Sequence, residues 1–187
     1  MIEVRWHGRG GQGAKTASQF LGEAALDTGK YIQAFPEYGP ERAGAPMRSY
    51  TRISDKAITI HSSVTNPDIV VVIDPTLVGS INVTEGLGDK GAILVNTDKS
   101  PQDIRKDLKL TKGKVATVDA TKISLETLGI PMPNMPMLGA LLKVNQLVSI
   151  EELSERVKDK FLKKIGEEKT NANIEGIKKA YNEVKIG

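Results

Sequence analysis

The sequence HGRGGQGAKTA, residues 7–17, places four glycines within six positions. Before it, Ile2, Val4 and Trp6 alternate with polar residues, which is the pattern of a strand. After it, apolar residues recur at helical spacing as far as Asp27-Thr28-Gly29, a sequence that ends a helix. A strand, a glycine loop and a helix in this order predict the opening of a Rossmann-like α/β fold.

The rest of the chain continues this pattern. Further strands are predicted over 31–35, 69–73, 92–95 and 115–118. Helices are predicted near 76–87, 121–128, 135–148, 150–165 and 174–184. Two alternating runs predict an inserted β-hairpin near 46–62. We therefore expect one domain, residues 1–187, with a mostly parallel sheet flanked by helices and with helices at its C-terminus.

The composition excludes several classes of site. The chain has no cysteine, so it holds no disulfide, no thiolate zinc site and no cysteine-ligated iron–sulfur cluster. Its net charge of +3 and its 4% of aromatic residues do not form the basic, base-stacking surface of a nucleic-acid binder. No apolar run approaches the roughly 20 residues of a membrane span. We expect a cytoplasmic protein with no nucleic-acid partner, no membrane partner and no metal site.

The glycine loop fits two well-known nucleotide motifs only in part. In the triphosphate-binding loop a lysine directly follows the last glycine, but here Ala14 intervenes before Lys15. Gly8, Gly10 and Gly13 match the G-x-G-x-x-G of dinucleotide-binding proteins. That motif also needs an acidic residue at the end of the second strand to bind ribose hydroxyls, and residues 30–36 contain none.

Two simpler interpretations of the loop remain. Glycines let a ligand approach the backbone, and the helix that follows Gly13 directs free N–H groups and its positive dipole end toward an anion. Alternatively, the glycines only permit a tight turn from strand to helix.

Several longer stretches resemble a known family in order and spacing. They are RWHGRGGQGAKTAS (5–18), GKYIQAFPEYGPERAGAP (29–46), NPDIVVVIDPTL (66–77), NMPMLGAL (134–141) and NANIEGIKKAY (171–181). Together they resemble the gamma subunits of 2-oxoacid:ferredoxin oxidoreductases, and most closely those of the pyruvate enzymes. The resemblance covers nearly the whole chain.

The resemblance implies an activity that the residues alone do not. Enzymes of this family convert pyruvate, coenzyme A and oxidised ferredoxin to acetyl-CoA, CO₂ and reduced ferredoxin. Thiamine diphosphate with Mg²⁺ and the iron–sulfur clusters belong to other subunits, of alpha, beta and delta type, and the absence of cysteine agrees with this. The gamma domain helps to hold coenzyme A, and the isolated chain is expected to be inactive.

The resemblance also selects the candidate residues. Coenzyme A has a pyrophosphate, which suits a helix N-terminus, and a 3′-phosphate, which requires cations rather than an acid. Arg42 is the best placed cation for that phosphate. The candidates for coenzyme A binding are Gly8, Gly10, Gly11, Gln12, Gly13, Lys15, Thr16 and Arg42.

Other polar residues have simpler expected roles. Arg48 and Arg52 share one face of a strand, which suggests solvent exposure or ion pairs at a subunit interface. His7 is expected to form hydrogen bonds at the entrance of the loop, and Asp74 to cap a helix. Phe35, Tyr38 and Met47 form a candidate surface for a partner subunit.

Three functions from different classes stay open at this point. The first is a coenzyme A-binding subunit. The second is a subunit whose loops serve assembly only. The third is a free-standing Rossmann oxidoreductase that binds nicotinamide. Within the family, a branched-chain 2-oxoacid is an alternative substrate.

Overall fold

The computed structural model describes residues 1–37 and 44–187. Its strands are β1 (Ile2–Arg9), β2 (Tyr31–Pro36), β3 (Pro46–Ser54), β4 (Ile69–Val72), β5 (Ala92–Asn96), β6 (Lys114–Val118) and β7 (Lys185–Ile186). They form one sheet in the order β2-β3-β1-β4-β5-β6-β7. The helices are α1 (Ala14–Asp27), α2 (Pro101–Asp107), α3 (Ala120–Leu128), α4 (Asn134–Val144), α5 (Ile150–Ile165) and α6 (Glu167–Glu183).

The centre of the sheet is parallel, as predicted. Strands β1, β4, β5 and β6 pair in parallel, whereas β3 is antiparallel to both β1 and β2, and β7 is antiparallel to β6. The apolar run in β4 serves both faces, because Ile69 and Val71 join one core cluster while Val70 and Val72 join the other. The α/β fold class predicted from the sequence is thus confirmed.

The two faces of the sheet are covered differently. The larger core lies under α1, α3, α4, α5 and α6, and it contains the fully buried Trp6 of β1. The smaller core lies under α2 and the irregular segment 75–87. No helix in the described part of the chain is both long and apolar enough to cross a membrane.

The predicted hairpin near 46–62 is wrong in its second arm. β3 forms as expected, but it pairs with β1 on one side and with β2 on the other, so neither of its edges is left for the run 56–62. That run is mostly exposed and lies beside β2, where the Gln33 Nε2 donates a hydrogen bond of 2.8 Å to the Ile60 carbonyl. The hairpin of this region is therefore formed by β2 and β3.

The predicted helix near 76–87 is also wrong. Only Pro75–Leu77 forms a short 3-10 turn, and Asp74 caps it by accepting a hydrogen bond from the Thr76 N–H. The remaining segment folds in turns, and Leu77 of the 3-10 turn and Val83 of this segment are buried in the smaller core. A short helix that was not predicted, α2, follows β5 instead, with Ser100 as its N-cap.

Helices α4 and α6 are in very close contact. A Cβ atom at Gly139 of α4 would lie 1.9 Å from the Ile177 carbonyl oxygen of α6. Glycine inside a helix costs about 0.5–1 kcal/mol relative to alanine. Gly139 is therefore needed because the two helix backbones meet at this position.

Two of the three residues of the candidate partner surface, Phe35 and Met47, are partly covered by the chain's own residues. Phe35 is partly buried against Tyr50, with ring centroids 5.3 Å apart, and the Arg52 guanidinium lies 5.6 Å from the Phe35 centroid. Met47 packs against the larger core. Tyr38, the third residue of the patch, lies outside the described residues.

Candidate functional site

The glycine loop lies at the carboxyl edge of the parallel strands. After β1 the chain passes through α1 to β2 on one side of the sheet, and from β4 it continues through β5 and β6 on the other side. The strand order therefore reverses between β1 and β4, which is where ligands bind in open α/β sheets. The loop 10–13 stands at this point, next to Asp74 at the end of β4.

The first two glycines of the loop serve packing and backbone pairing. Gly8 is buried, and a Cβ there would lie 3.3 Å from the Ala14 Cβ and 3.7 Å from the Ile73 Cβ. The Gly10 N–H donates a hydrogen bond of 3.1 Å to the Ala45 carbonyl. Gly8 thus allows α1 to start close to the sheet, and Gly10 ties the loop to the segment that precedes β3.

Gly11 and Gly13 both have left-handed backbones, but their surroundings differ. Gly11 has φ +95°, and no atom of the described residues lies within 4 Å of where its Cβ would be. Gly13 has φ +79°, and its Cβ would lie 2.4 Å from the Asn134 Nδ2. Among the described residues, Gly11 therefore has no neighbour on its Cβ side, whereas Gly13 is packed against the first residue of α4.

Gln12 uses both ends of its side-chain amide within the protein. Its Oε1 accepts a hydrogen bond of 2.7 Å from the Arg9 N–H, and its Nε2 donates one of 2.6 Å to the Asp74 Oδ2. The side chain therefore links the two strand ends that border the site. A direct contact between Gln12 and a ligand stays a prediction.

Asp74 is the centre of the polar links beneath the loop. Burial acts to raise its pKa, but hydrogen bonds from Thr76 and Gln12 and the nearby charge of Arg9 outweigh this and hold the pKa below its usual value. The Arg9 Nε lies 3.2 Å from the Asp74 Oδ2, and its Nη1 donates to the Gly44 carbonyl at 3.1 Å. Asp74 is thus a stable anion that fixes Arg9 beside the loop.

The N-terminus of α1 is open. Its N-cap, Gly13, provides no side-chain hydrogen bond, and the first N–H of the helix to find a helical carbonyl is that of Ala17, which donates to Gly13 at 2.9 Å. The N–H groups of Ala14, Lys15 and Thr16 donate to no acceptor within the described residues. Lys15 is exposed, and Thr16 is half-buried.

A second helix begins beside this open end. Asn134, the first residue of α4, is only 5% exposed, and its Nδ2 lies 3.5 Å from the Gly13 carbonyl oxygen. Its Oδ1 is buried and has no hydrogen-bond partner among the residues described. The starts of α1 and α4 therefore meet across Gly13.

His7 is a buried neutral residue immediately before the loop. Its Nε2 accepts a hydrogen bond of 3.1 Å from the Arg5 Nε. Burial, helped by the charges of Arg5 and Arg48, lowers the pKa of His7 to about 3. The expected hydrogen bond at the loop entrance is thus present.

Arg52 differs from expectation, whereas Arg48 does not. Arg52 is only 1% exposed, with its Nε 2.7 Å from the Glu3 Oε1 and its Nη1 donating to the Gln33 Oε1 at 3.0 Å. It is therefore an internal residue that joins three strands, and the prediction of solvent exposure is wrong for it. Arg48 is half-buried, with its Nη2 3.7 Å from a Glu85 carboxylate oxygen.

The structure thus brings together most of the candidates but not all. Seven candidates follow one another from the end of β1 through the loop to the first turn of α1: Gly8, Gly10, Gly11, Gln12, Gly13, Lys15 and Thr16. The eighth, Arg42, lies outside the described residues. Sequence reasoning missed Arg9 and Asn134. Arg9 lies within the glycine motif, so its proximity could have been noticed, but nothing in the local sequence places Asn134 next to Gly13, 121 residues away. In the parts of the chain described, no three His, Asp or Glu side chains are grouped to hold a metal ion.

Comparisons with known proteins find relatives over nearly the whole length of the chain. Residues 3–183 match the family model described as pyruvate ferredoxin/flavodoxin oxidoreductase. The chain is 51% identical over 184 residues to pyruvate synthase subunit PorC of Thermotoga maritima, covering 98% of this chain and 95% of that protein. It is 50% identical over 179 residues to the pyruvate/ketoisovalerate oxidoreductases common subunit gamma of Pyrococcus furiosus, covering 96% of this chain and 97% of that protein.

Solved structures show the same architecture. The crystal structure of pyruvate oxidoreductase subunit PORC from Thermotoga maritima superimposes with a TM-score of 0.89 at 47% identity, over 100% of this chain and 98% of that one. A 2-oxoglutarate:ferredoxin oxidoreductase from Magnetococcus marinus, solved with 2-oxoglutarate, coenzyme A and succinyl-CoA bound, gives a TM-score of 0.79 at 21% identity. The match covers 97% of this chain but 30% of that longer one, and it shows a shared fold.

Proposed function

This chain belongs to the pyruvate ferredoxin/flavodoxin oxidoreductase family, and we propose that it acts there as a gamma subunit that binds coenzyme A through its glycine loop. The family predicted from the sequence is confirmed. The prediction that the chain is a gamma subunit of a pyruvate:ferredoxin oxidoreductase is confirmed as well. The enzyme converts pyruvate, coenzyme A and oxidised ferredoxin to acetyl-CoA, CO₂ and reduced ferredoxin.

The observation that carries the coenzyme A proposal is the start of α1. Its first-turn N–H groups find no acceptor in the described protein, and the first turn holds Lys15 but no acidic residue. A lysine at the positive end of a helix dipole is unfavourable by itself, so the arrangement favours a bound anion. The pyrophosphate of coenzyme A meets this requirement.

The residues of the chain have distinct roles in this proposal. The N–H groups of Ala14, Lys15 and Thr16 donate to phosphate oxygens, and the Lys15 ammonium adds a charge-assisted contact. Gly11, which has no neighbour on its Cβ side in the described part of the chain, lets the ligand approach the loop. Gln12 and Asp74 hold the loop in shape, and Arg9 adds positive charge beside it.

The nicotinamide alternative conflicts with the sheet order. A dinucleotide fold places the ribose-binding acid at the end of a strand next to β1, but here the antiparallel β3 separates β2 from β1. The first acid after β2 is Glu37, whose carboxylate accepts a hydrogen bond from the Tyr50 hydroxyl. Residues 1–37 and 44–187 thus do not provide the second half of a nicotinamide site.

The other partners follow from the family. We propose that alpha, beta and delta-type subunits carry thiamine diphosphate, Mg²⁺ and the iron–sulfur clusters, which supply the carbon chemistry and the electron transfer, and that ferredoxin is reached through that complex in the cytoplasm. The name of the Pyrococcus furiosus relative assigns one gamma subunit to two oxidoreductases. This supports a subunit that contacts coenzyme A rather than the carbon chain of the 2-oxoacid.

The test compares two exposed lysines in the first turns of two helices. In the enzyme assembled with its partner subunits, Lys15→Ala is expected to weaken coenzyme A binding about 10- to 150-fold, since it removes a charge-assisted contact. Lys169→Ala, in the first turn of α6, is the matched control and should leave it unchanged. Calorimetric titration with coenzyme A gives the dissociation constants, and the Michaelis constant for pyruvate should change little.

The 3′-phosphate needs a separate test. We propose that Arg42 binds this group, so Arg42→Ala should weaken binding of coenzyme A but not of dephospho-coenzyme A, which lacks it. Equal losses for both ligands would leave the glycine loop as the only phosphate site. If neither Lys15→Ala nor Arg42→Ala changes binding, the loop is a tight turn that serves assembly only.

A further inference from the structure

The side chain of Asn134 has one amide atom engaged and one without a partner. The Nδ2 lies 3.5 Å from the Gly13 carbonyl oxygen, and the Oδ1 is buried with no donor among the described residues. Buried amide oxygens in folded proteins are nearly always hydrogen-bonded. An unpaired one at the edge of a binding loop therefore needs an explanation.

The orientation of this amide is set by its neighbour. If the group were turned over, the Oδ1 would face the Gly13 carbonyl oxygen, and two acceptors would meet. The Nδ2 therefore faces Gly13, and the free atom is an acceptor. Phosphate oxygens are acceptors as well, so a phosphate does not satisfy the Oδ1.

The described residues leave this acceptor without a donor, although they satisfy a similar acceptor nearby. Asn96 is also buried at the carboxyl edge of the sheet, and its Nδ2 donates to the Ile73 carbonyl at 2.9 Å while its Oδ1 accepts from the Thr121 N–H at 3.2 Å. Asn96 is complete within the protein. Asn134 lacks one donor, and it lies against the loop to which we assign the pyrophosphate.

We propose that the Asn134 Oδ1 accepts a hydrogen bond from a hydroxyl or amide N–H of coenzyme A, next to the phosphates held by the loop. This inference rests on the proposed function. Both halves of coenzyme A carry such donors, in the ribose and adenine on one side and in the pantetheine arm on the other. The Oδ1 is buried, so this contact requires the loop to move aside, and Gly11, with φ +95°, is the residue at which the backbone can change conformation at low cost.

The test uses a ligand with the donors and a ligand without them. Asn134→Leu keeps the approximate shape and removes the acceptor, and Asn134→Ala repeats the removal without added bulk. In the assembled enzyme both variants should weaken coenzyme A binding about 3- to 10-fold, the effect of one neutral hydrogen bond. Binding of dimethyl pyrophosphate (hereafter pyrophosphate), esterified at both phosphates as the pyrophosphate of coenzyme A is, should be unchanged in a titration, because it offers phosphate oxygens but no hydroxyl or N–H donor.

Two further measurements sharpen this result. Asn173→Leu makes the same change at a buried asparagine of α6, whose Nδ2 donates to the Lys169 carbonyl, and it should affect neither ligand. 4′-Phosphopantetheine, which lacks the adenosine, locates the donor: a loss of affinity in Asn134→Leu assigns it to the pantetheine arm, and no loss assigns it to the adenosine.

The outcomes separate this inference from the proposed function. Equal weakening of coenzyme A and pyrophosphate in the Asn134 variants would mean that Asn134 only supports the loop, and unchanged binding of both would exclude any role; either result overturns the inference. Lys15→Ala should weaken both ligands. If it weakens neither, the phosphate site itself is wrong, whereas an effect of Lys15→Ala with silent Asn134 variants refutes the donor pairing alone.

Discussion

Helices α1 and α5 begin in opposite ways. At the start of α5, the Ser149 Oγ accepts from the Glu152 N–H at 3.1 Å, and the Glu152 Oε2 accepts from the Ser149 N–H at 2.7 Å. Two acidic residues, Glu151 and Glu152, stand in its first turn. The start of α1 has a glycine N-cap, no side-chain cap and a lysine. One helix satisfies its own terminal donors, and the other leaves them open.

The difference between the two helix starts shows that one serves the stability of its helix, whereas the other is suited to binding an anion. A capping box satisfies the free N–H groups of a helix, and acidic residues complement its dipole, so α5 needs no ligand. The start of α1 forgoes both contributions, and its geometry depends on residues around it. The chain therefore gives up local stability at α1 in a place where an anion can restore it.

The largest change in the free energy of unfolding is expected at low pH. It arises at His7 in β1, the strand that leads to the start of α1. His7 is neutral in the folded chain, with a pKa of about 3, while an unfolded histidine titrates near 6.5. The unfolded state therefore binds a proton first as the pH falls. The contribution of His7 to the free energy of unfolding should be full above pH 6.5. It should fall as the pH is lowered to 3, by at most about 1.4 kcal/mol per pH unit.

Urea unfolding at a series of pH values measures this slope. His7→Gln should flatten it, because glutamine can accept from Arg5 without binding a proton. His61→Gln, at the exposed second histidine of the chain, is the control and should keep the slope. An unchanged slope in His7→Gln would show that other groups set the acid sensitivity.

The next largest loss of stability is expected at Gly13, the N-cap of α1. Gly13→Ala meets left-handed strain of roughly 1–2 kcal/mol, and its Cβ also collides with the Asn134 amide, so unfolding should be easier by about 3 kcal/mol. Gly129→Ala, at the end of α3, has φ +76° with nothing within 4 Å and should show the strain alone. Unfolding free energies of the two variants give the difference, and equal values would refute the close packing of Gly13 on Asn134.

A smaller loss of stability is expected at the start of α5, which has the capping box. Ser149→Ala removes the hydroxyl that accepts from Glu152, and it should lower the free energy of unfolding by about 1 kcal/mol. Coenzyme A binding by the assembled enzyme should stay unchanged, because this cap serves only the helix. A loss of affinity without a loss of stability would contradict the division between the two helices.

The smallest effect has the opposite sign. Lys15→Glu gives α1 the acidic first turn that α5 has, and it should raise the free energy of unfolding of the ligand-free chain by about 0.3–1 kcal/mol. The same change should abolish measurable coenzyme A binding, since a carboxylate would repel the phosphates. Both measurements on one variant test whether stability and affinity oppose each other here; a variant that loses stability would count against the comparison.

The sequence predicted the parallel centre of the sheet well. Buried strands such as Ile69–Val72 and amphipathic helices such as α5 carry their own periodicity, so local patterns suffice. The alternation at 56–62 is as regular as that of β3. It forms no strand because β1 and β2 already occupy both edges of β3, and this competition is decided by tertiary structure.

The site was predictable in its continuous part. Gly8 to Thr16 are adjacent in the sequence, so a loop followed by a helix brings them together without further information. Asp74 and Asn134 reach the same place only through the order of the strands and the packing of α4. The continuous loop and helix start were thus visible in the sequence, whereas the residues that meet them from other parts of the chain required the fold.

The contact between Gly139 and Ile177 has a consequence for the order of folding. α4 carries Asn134 to the glycine loop, and the backbones of α4 and α6 are in direct contact at Gly139. During synthesis the glycine loop therefore emerges before α6, and the contact between Gly13 and Asn134 becomes stable only after α6 has been made. We expect the glycine loop to reach its native packing later than its position in the sequence suggests.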